Sequence, residues 1–556
     1  MAKKIFWALS NRERIAFILA LVVAISSGTT LAAVFIEKNT LVVPAYGGEY
    51  IEGIVGQPAF INPVLAKNES DKSLIRLIFS NITDVAENIL SSEDRRTWKV
   101  RLKENTLWHD GEKLTSDDII FTVQRIQDPE SQSPASAIWQ GIVAQRISER
   151  EVQFSLGIPY PLFERTHLKT LYILPKHLFA DIPTANWRLS DFNLKPVGSG
   201  PYRFESFERG EGGFISFMKL RAVRGEETKQ GPYIKRFDIR FFTNRKDAIE
   251  SYNAGHIDGI SGVEPSELGL IRRPYNLIRF KFPSYYAVFL NQTQHLALKD
   301  KAVREALSRV IDRAQIGESI FHNLGAEAYG PIPEFALNED DNAPKRISIQ
   351  EANALLENAG WLIEASNIRA KKIKEGSLTL EFQLTVPDVS FLKDTAEQLK
   401  MTWEKIGAKI TLKILPPEEV LEKIIKNREY QMLLFGNVLN STLDPFSFWH
   451  SSERFYPGLN LSLYNSKEAD KAIEAFRQSA NDNERKEKLL EFQQIIAEDI
   501  PAIFLYTPDY LYVTTNDLKG VPLEIIGEGA ERLNNVEKWY LKTARILKNK
   551  TDKEIK

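Results

Sequence analysis

The chain of 556 residues contains no cysteine. That absence excludes disulfides, thiolate nucleophiles, cysteine-ligated zinc and iron–sulfur centres, and any lipid carried on a cysteine. Nor is there an excess of charge of one sign. Lys and Arg number 72 against 74 Asp and Glu, so no broad positive field exists to attract a phosphate backbone, and nucleic acid is not an expected partner. Hydrophobic residues at 43% and charged residues at 26% are ordinary for a folded soluble protein and exclude wholesale disorder and a multi-span membrane protein. The length leaves room for about three or four domains. No repeat of fixed period and no low-complexity linker interrupts it.

Catalytic signatures are also missing. The seven histidines, His109, His167, His177, His256, His295, His322 and His450, show no H-E-x-x-H spacing, and there is no G-x-S-x-G elbow or phosphate loop. No metal or cofactor is expected. Trp108-His109-Asp110-Gly111 reads as a turn, because Asp-Gly is a strong turn signal on its own. Asp117 and Asp118 follow Thr115 in a capping-box pattern and read as a helix start, where first-turn carboxylates are favoured electrostatically. Gly198-Ser199-Gly200-Pro201 lacks a clear following helix and reads as a structural turn rather than a phosphate cradle.

One long apolar run is present, Ile15 to Ile36, without a charge over 22 positions. As a helix it spans ~33 Å, enough for a ~30 Å hydrocarbon core. Lys3, Lys4, Arg12 and Arg14 precede it, which places residues 1–14 in the cytoplasm and everything after Glu37 outside. The run exceeds the usual apolar stretch of a cleaved signal peptide, so a retained single-pass anchor is the expectation, with cleavage the alternative.

Beyond it the texture is α/β. Trp98, Val100 and Leu102 alternate with polar residues, as do Leu378 to Val386 and Ile410 to Ile414, each reading as a half-buried strand. Val303, Ala306, Leu307, Val310 and Ile311 mark one buried helix face. Ser348 and Glu351 form a capping box, with Gly360 at the far end of that helix. Phe391 to Ile406 reads as a helix stopped at Gly407 and followed by a strand over Lys409 to Leu415. The ending from about Lys548 is mostly charged and reads as a frayed terminus.

Eight segments in order carry a family resemblance: NPVL (62–65), TWKVRLKEN with LWHDGEKLTSDDIIFTVQRI (97–126), PVGSGPYRF (196–204), AGHIDG (254–259), KDKAVREALSRVIDRAQI (299–316), ALLENAGW (354–361), LYNSKEADKAIEAF (463–476) and IIAEDIPAIFLY (495–506). Together they resemble family 5 solute-binding proteins, the oligopeptide-, dipeptide- and nickel-binding receptors of ABC importers. The resemblance implies a type II periplasmic-binding-protein fold, two α/β lobes closing over a ligand cleft with a third domain inserted. Lobe I would take 41–72, 195–283 and 501–543; the inserted domain 73–194; lobe II 284–500; residues 544–556 would be a charged tail. It implies a monomeric binding protein, not an enzyme, outside the cytoplasm. That protein would capture a peptide or similar polar solute for ABC permease subunits with a cytoplasmic ATPase. The alternative is an anchored receptor or adhesion protein reusing the fold without transport. With no cysteine to lipidate, the helix at 15–36 would do the tethering.

In the family pattern an aspartate in a G-W-x-x-D-x-x-[DE]-P-like segment pairs with the ligand's α-ammonium group. The matching segment is GNVLNSTLDPF (436–446). Counted from Gly436 the acidic position falls on Asn440; counted back from Pro445 it falls on Ser441. Neither is acidic, and Asn437 stands in place of the tryptophan. The ligand-binding residues implied are Gly436, Asn437, Val438, Asn440, Ser441 and Asp444, with Trp449 and Arg454 further along. Asp444 also fits ordinary Asp-Pro turn chemistry. Trp449 equally fits a packed aromatic, and Arg454 a solvated surface charge.

Overall fold

A computed structural model describes residues 10–225, 231–337, 345–374, 376–439 and 442–548. The apolar run lies in one helix, Asn11–Asn39, 29 residues long with no buried side chain. At ~1.5 Å per residue it measures ~44 Å, longer than a hydrocarbon core requires. A capping box opens it: the Glu13 carboxylate accepts from the Ser10 amide at 2.8 Å.

Two large mixed sheets follow. The first, of seven strands, runs in the order Asn276–Phe280, Tyr510–Thr514, Gly259–Ser261, Glu49–Val55, Arg236–Phe242, Ile215–Ala222, Tyr202–Arg209. Gly259 ends the AGHIDG segment for a steric reason. A Cβ there would sit 2.1 Å from the Tyr50 hydroxyl and 2.7 Å from a Glu52 carboxylate oxygen, closer than any side chain tolerates.

The second sheet has six strands in the order Gly325–Glu327, Ala502–Pro508, Ser284–Leu290, Met432–Val438, Glu381–Pro387, Lys409–Leu415. Its centre is apolar on both faces, as expected of strands covered on both sides. Along Ser284–Leu290, Tyr285, Ala287 and Phe289 enter one core while Val288 and Leu290 enter the other. Ala502 and Phe504 against Ile503 and Leu505 repeat the alternation. The single strand expected over Leu378 to Val386 is two strands. Gly376–Thr379 pairs in a separate three-stranded sheet and Glu381–Pro387 in the large one. Leu378, Leu380 and Phe382 nevertheless pack on one core, which is why the alternation runs unbroken across the junction.

The inserted part carries a four-stranded antiparallel sheet, Ala86–Ser91, Thr97–Leu102, Glu151–Ser155, Val143–Ser148. Its Trp98, Val100 and Phe154 share a continuous core with Tyr50 and Phe237 of the seven-stranded sheet and with Trp539. The chain crosses between the large sheets twice, from Phe280 to Ser284 and from Pro508 to Tyr510. The boundary expected at Pro501 therefore lies later, because Ala502–Pro508 pairs with Ser284–Leu290 across lobe II. Asp509 ties the crossings together. Its carboxylate, 3% exposed, meets Arg279 at 2.6 Å and Lys281 at 3.1 Å.

The expected tail is corrected as well. Lys542–Leu547 is a strand, paired antiparallel with Thr40–Ala45 directly after the long helix. Leu41, Val42 and Val43 are apolar in succession, so no two-residue alternation announces the first of these strands.

Candidate functional site

The histidine and glycine motifs build a joint. His109 N donates to Gly198 O at 2.8 Å, and the His109 ring bonds Gly200 O through Nε2 at 3.0 Å. Burial pushes that imidazole down to about 4, so it is neutral near pH 7 with Nε2 as the donor. Gly200 N donates to Ile78 O at 2.8 Å, and a Cβ on Gly198 would lie 1.8 Å from that oxygen. The loop thus clamps the end of helix Glu69–Ile78 and runs into the strand Tyr202–Arg209. Asp118 closes its capping box and accepts from Lys176 N at 2.9 Å, while Asp117 pairs with Arg146 at 3.3 Å.

The segment implied to bind ligand starts on the strand Met432–Val438. Gly436 lies opposite Tyr286, and a Cβ on it would come within 2.5 Å of the Tyr286 ring. Burial pushes the Tyr286 phenol up, and Glu264 of lobe I adds to the effect. Asn437 points the other way. It is buried, and its Nδ2 donates to the Tyr285 hydroxyl at 2.9 Å. Val438 is 44% exposed and faces a cavity. Asn440 and Ser441 lie outside the described residues.

Asp444 is turn and ion pair at once. It accepts from Phe446 N at 3.0 Å and meets Arg477 at 2.8 Å. Trp449 does not line the cleft. It is fully buried, and its Nε1 donates to the same Tyr285 hydroxyl at 2.8 Å. Its register turns it inward, into the core with Phe289, Phe492 and Phe504. Arg454 also lies away from the cavities: its Nε donates to Ser451 O at 2.8 Å and its guanidinium sits over Phe455.

Two adjoining cavities lie where the three parts meet. One, of about 480 Å³, is walled by Pro63, Lys67 and Lys72 of lobe I, by Arg76 one turn further along the same helix, and by Glu528 and Glu531 from the last segment of lobe I. The inserted domain adds Ile138, Arg165, Thr166 and Tyr172, and Thr442 comes from lobe II. The other, of about 1300 Å³, lies between the inserted domain and lobe II, with Val438, Asp444 and Phe446 on the lobe II side. Ile138 and Thr166 belong to both walls, so the two form one groove. The segment that starts at Gly436 contributes to both cavities, Thr442 to the smaller and Val438, Asp444 and Phe446 to the larger.

The smaller cavity is not acidic. Among its described lining residues four cations, Lys67, Lys72, Arg76 and Arg165, face two carboxylates, Glu528 and Glu531. Glu528 meets Lys72 and Arg76, each at 2.6 Å. Burial alone would push its carboxyl up, but Arg76 and Lys72 together hold it below the usual range. Behind this wall Arg532 is fully buried, bonded to Glu52 at 2.8 Å and Glu69 at 3.2 Å. The partners are more than 450 positions apart, so sequence spacing carried no signal for these residues. Only the helical spacing of Lys72 and Arg76, on one face of Glu69–Ile78, was available to find two of them.

The family model described as bacterial extracellular solute-binding proteins, family 5 Middle, matches residues 81–455. The oligopeptide-binding protein AppA of Bacillus subtilis is 27% identical over 531 residues, 91% of this chain and 93% of that protein. The dipeptide-binding protein of Escherichia coli is 21% identical over 478 residues, 80% and 84% of the two chains. Among solved structures, that of AppA from Bacillus subtilis in complex with a nonapeptide matches with a TM-score of 0.67 at 25% identity, covering 90% of this chain and 100% of that one. NikZ from Campylobacter jejuni in complex with Ni(L-His) matches with a TM-score of 0.68 at 25% identity, covering 88% and 99%.

Proposed function

The chain belongs to the bacterial extracellular solute-binding proteins of family 5, and from that premise we infer that it captures a peptide in the three-walled groove and passes it to a separate ABC permease. The observation that carries the peptide reading is the groove itself, about 480 Å³ opening on about 1300 Å³. A metal complex or a single amino acid needs far less room. Backbone hydrogen bonds supply affinity for an extended peptide, and roomy hydrated pockets accept varied side chains.

Val438 and Asp444 line the lobe II side of the groove, and Gly436 belongs to the strand that leads into it. The three crossing residues Arg279, Lys281 and Asp509 sit where a hinge between the lobes is needed, and ligand would shift an open–closed equilibrium about it. Helix Asn11–Asn39 serves as a retained anchor that holds the binding domain outside the membrane.

The test is calorimetry of residues 38–556 against a peptide library, with mass spectrometry of co-purified ligand. Saturable binding of peptides of several lengths is expected. No co-purified solute and no binding across the library would refute the reading.

A further inference from the structure

The long helix runs directly into the ribbon of Thr40–Ala45 and Lys542–Leu547, in which Thr40 faces Leu547, Leu41 faces Ile546 and Val42 faces Arg545. Residues opposite one another in an antiparallel pair share a side. One side therefore carries Leu41 and Ile546, the other Val42 and Leu547. All four are open to solvent, at 39%, 49%, 56% and 71% exposure, and none joins any of the four cores. A lone two-stranded ribbon is marginal in water, and one that exposes apolar side chains on both sides, with Thr40 and Arg545 beside Val42 and Leu547, calls for a surround that is apolar on one level and polar on the next.

Position says what that surround is. Thr40 follows Ile36 by four residues, ~6 Å at helical rise. The polar interface adds roughly 5–7 Å to each side of the hydrocarbon layer. The returning strand is fastened at that height: Lys548 donates from its amide to Asn39 O at 2.9 Å and from its Nζ to Lys38 O at 2.7 Å. Charge agrees. From Lys542 to Lys556 the sequence has six basic and two acidic residues, and each basic residue near an anionic surface contributes about 1 kcal/mol.

We propose that this ribbon is a lipid-binding foot. Leu41, Val42, Ile546 and Leu547 seat in the interface of the membrane that the helix crosses, and Arg545, Lys548 and Lys38 meet anionic phosphate headgroups. The binding domain is thereby held at fixed height by two strands rather than hung on one flexible tether. The proposal rests on reading the helix as a retained anchor.

The chain has no cysteine, so single-thiol variants of the full protein are clean probes. Ile546→Cys and Leu547→Cys carry an environment-sensitive fluorophore in vesicles of phosphatidylcholine and phosphatidylglycerol with nitroxide-labelled lipid. Ile36→Cys reports insertion of the helix, and Leu189→Cys, on the inserted domain, reports bulk solvent. Labels at 546 and 547 are expected to show blue-shifted emission and quenching several-fold above the Leu189 label. If the Ile36 label is quenched while those at 546 and 547 match Leu189, the foot is overturned and the anchor stands. If the intact mass of the cell-derived protein lacks the helix, the anchor reading fails and takes the foot with it.

Discussion

Asp71 offers a direct measure of how the groove wall is held together. It lies on helix Glu69–Ile78, 1% exposed, and its Oδ1 accepts from the amides of Ala59 at 2.8 Å and Phe60 at 3.0 Å. Those amides belong to the segment that delivers Pro63 to the smaller cavity. Burial pushes the carboxyl up from 3.8 to about 6, against those bonds. The folded state therefore holds its proton more tightly than the unfolded one. The stability this contributes is fully present below about pH 4 and is lost as pH rises through about 6. At about 1.4 kcal/mol per unit, a shift of about two units amounts to about 3 kcal/mol. In Asp71→Asn, Oδ1 still accepts both amides. The new amide nitrogen replaces Oδ2, a buried atom with no partner, at a pH-independent penalty of about 1–3 kcal/mol. The assay is urea unfolding of residues 38–556, wild type and variant, at pH 4 to 7.5. The wild type should lose about 3 kcal/mol relative to the variant across that range, most of it between pH 4 and 6. A difference that stays flat with pH would refute the reasoning.

Other perturbations test the remaining joints. Tyr285→Phe removes the acceptor of both Asn437 Nδ2 and Trp449 Nε1, leaving two buried donors unpaired; thermal unfolding should register a loss of about 2–4 kcal/mol. Arg532→Met leaves Glu52 buried without its partner and should cost about 3–5 kcal/mol, largely recovered in the Glu52→Gln double variant, because breaking a buried pair is worse than replacing it. Gly436→Ala drives a methyl into the Tyr286 ring and should lower stability by about 1–3 kcal/mol, read by urea unfolding. Peptides with free and acetylated amino termini should bind with affinities within a few-fold of one another by calorimetry; a large preference for the free amine would show that an acid serves it.

Much of the fold was legible because local chemistry and global packing agreed. The capping boxes at Thr115–Asp118 and Ser348–Glu351 open helices as read. Gly360 and Gly407 both take positive φ, +84° and +81°, where the helices end. The blocks that carried the family resemblance mark joints: Trp108–Gly111 meets Gly198–Pro201, and Gly259 makes room for a buried Tyr50, Glu52 and Tyr512 cluster. What was not legible depends on which side of a sheet a residue occupies. Trp449 sits in the core because the chain after Pro445 folds back over one face of the six-stranded sheet, and no local pattern announces that direction. The charged wall of the groove joins residues from opposite ends of the chain, which spacing cannot reveal.

The charges of that wall also sharpen what kind of recognition the groove supports. An acid in the segment after Gly436 would hold a ligand's ammonium group in a charge-assisted bond, stronger than a neutral one. Here Asp444 is engaged by Arg477 at 2.8 Å, and the acids across the cavity, Glu528 and Glu531, lie against Arg76 and Lys72. A ligand ammonium would have to displace one of those cations, exchanging one ion pair for another with little net gain in an environment that already desolvates both partners. Arg165 is likewise engaged, with Asp482 at 3.0 Å, so on the proposed reading the wall favours a ligand end that carries no ammonium group. On that reading affinity falls to backbone hydrogen bonds around Val438, where the strand Met432–Val438 reaches the groove, and to apolar contact in the larger cavity. Both tolerate variation in side chain and length better than a fixed ammonium socket does.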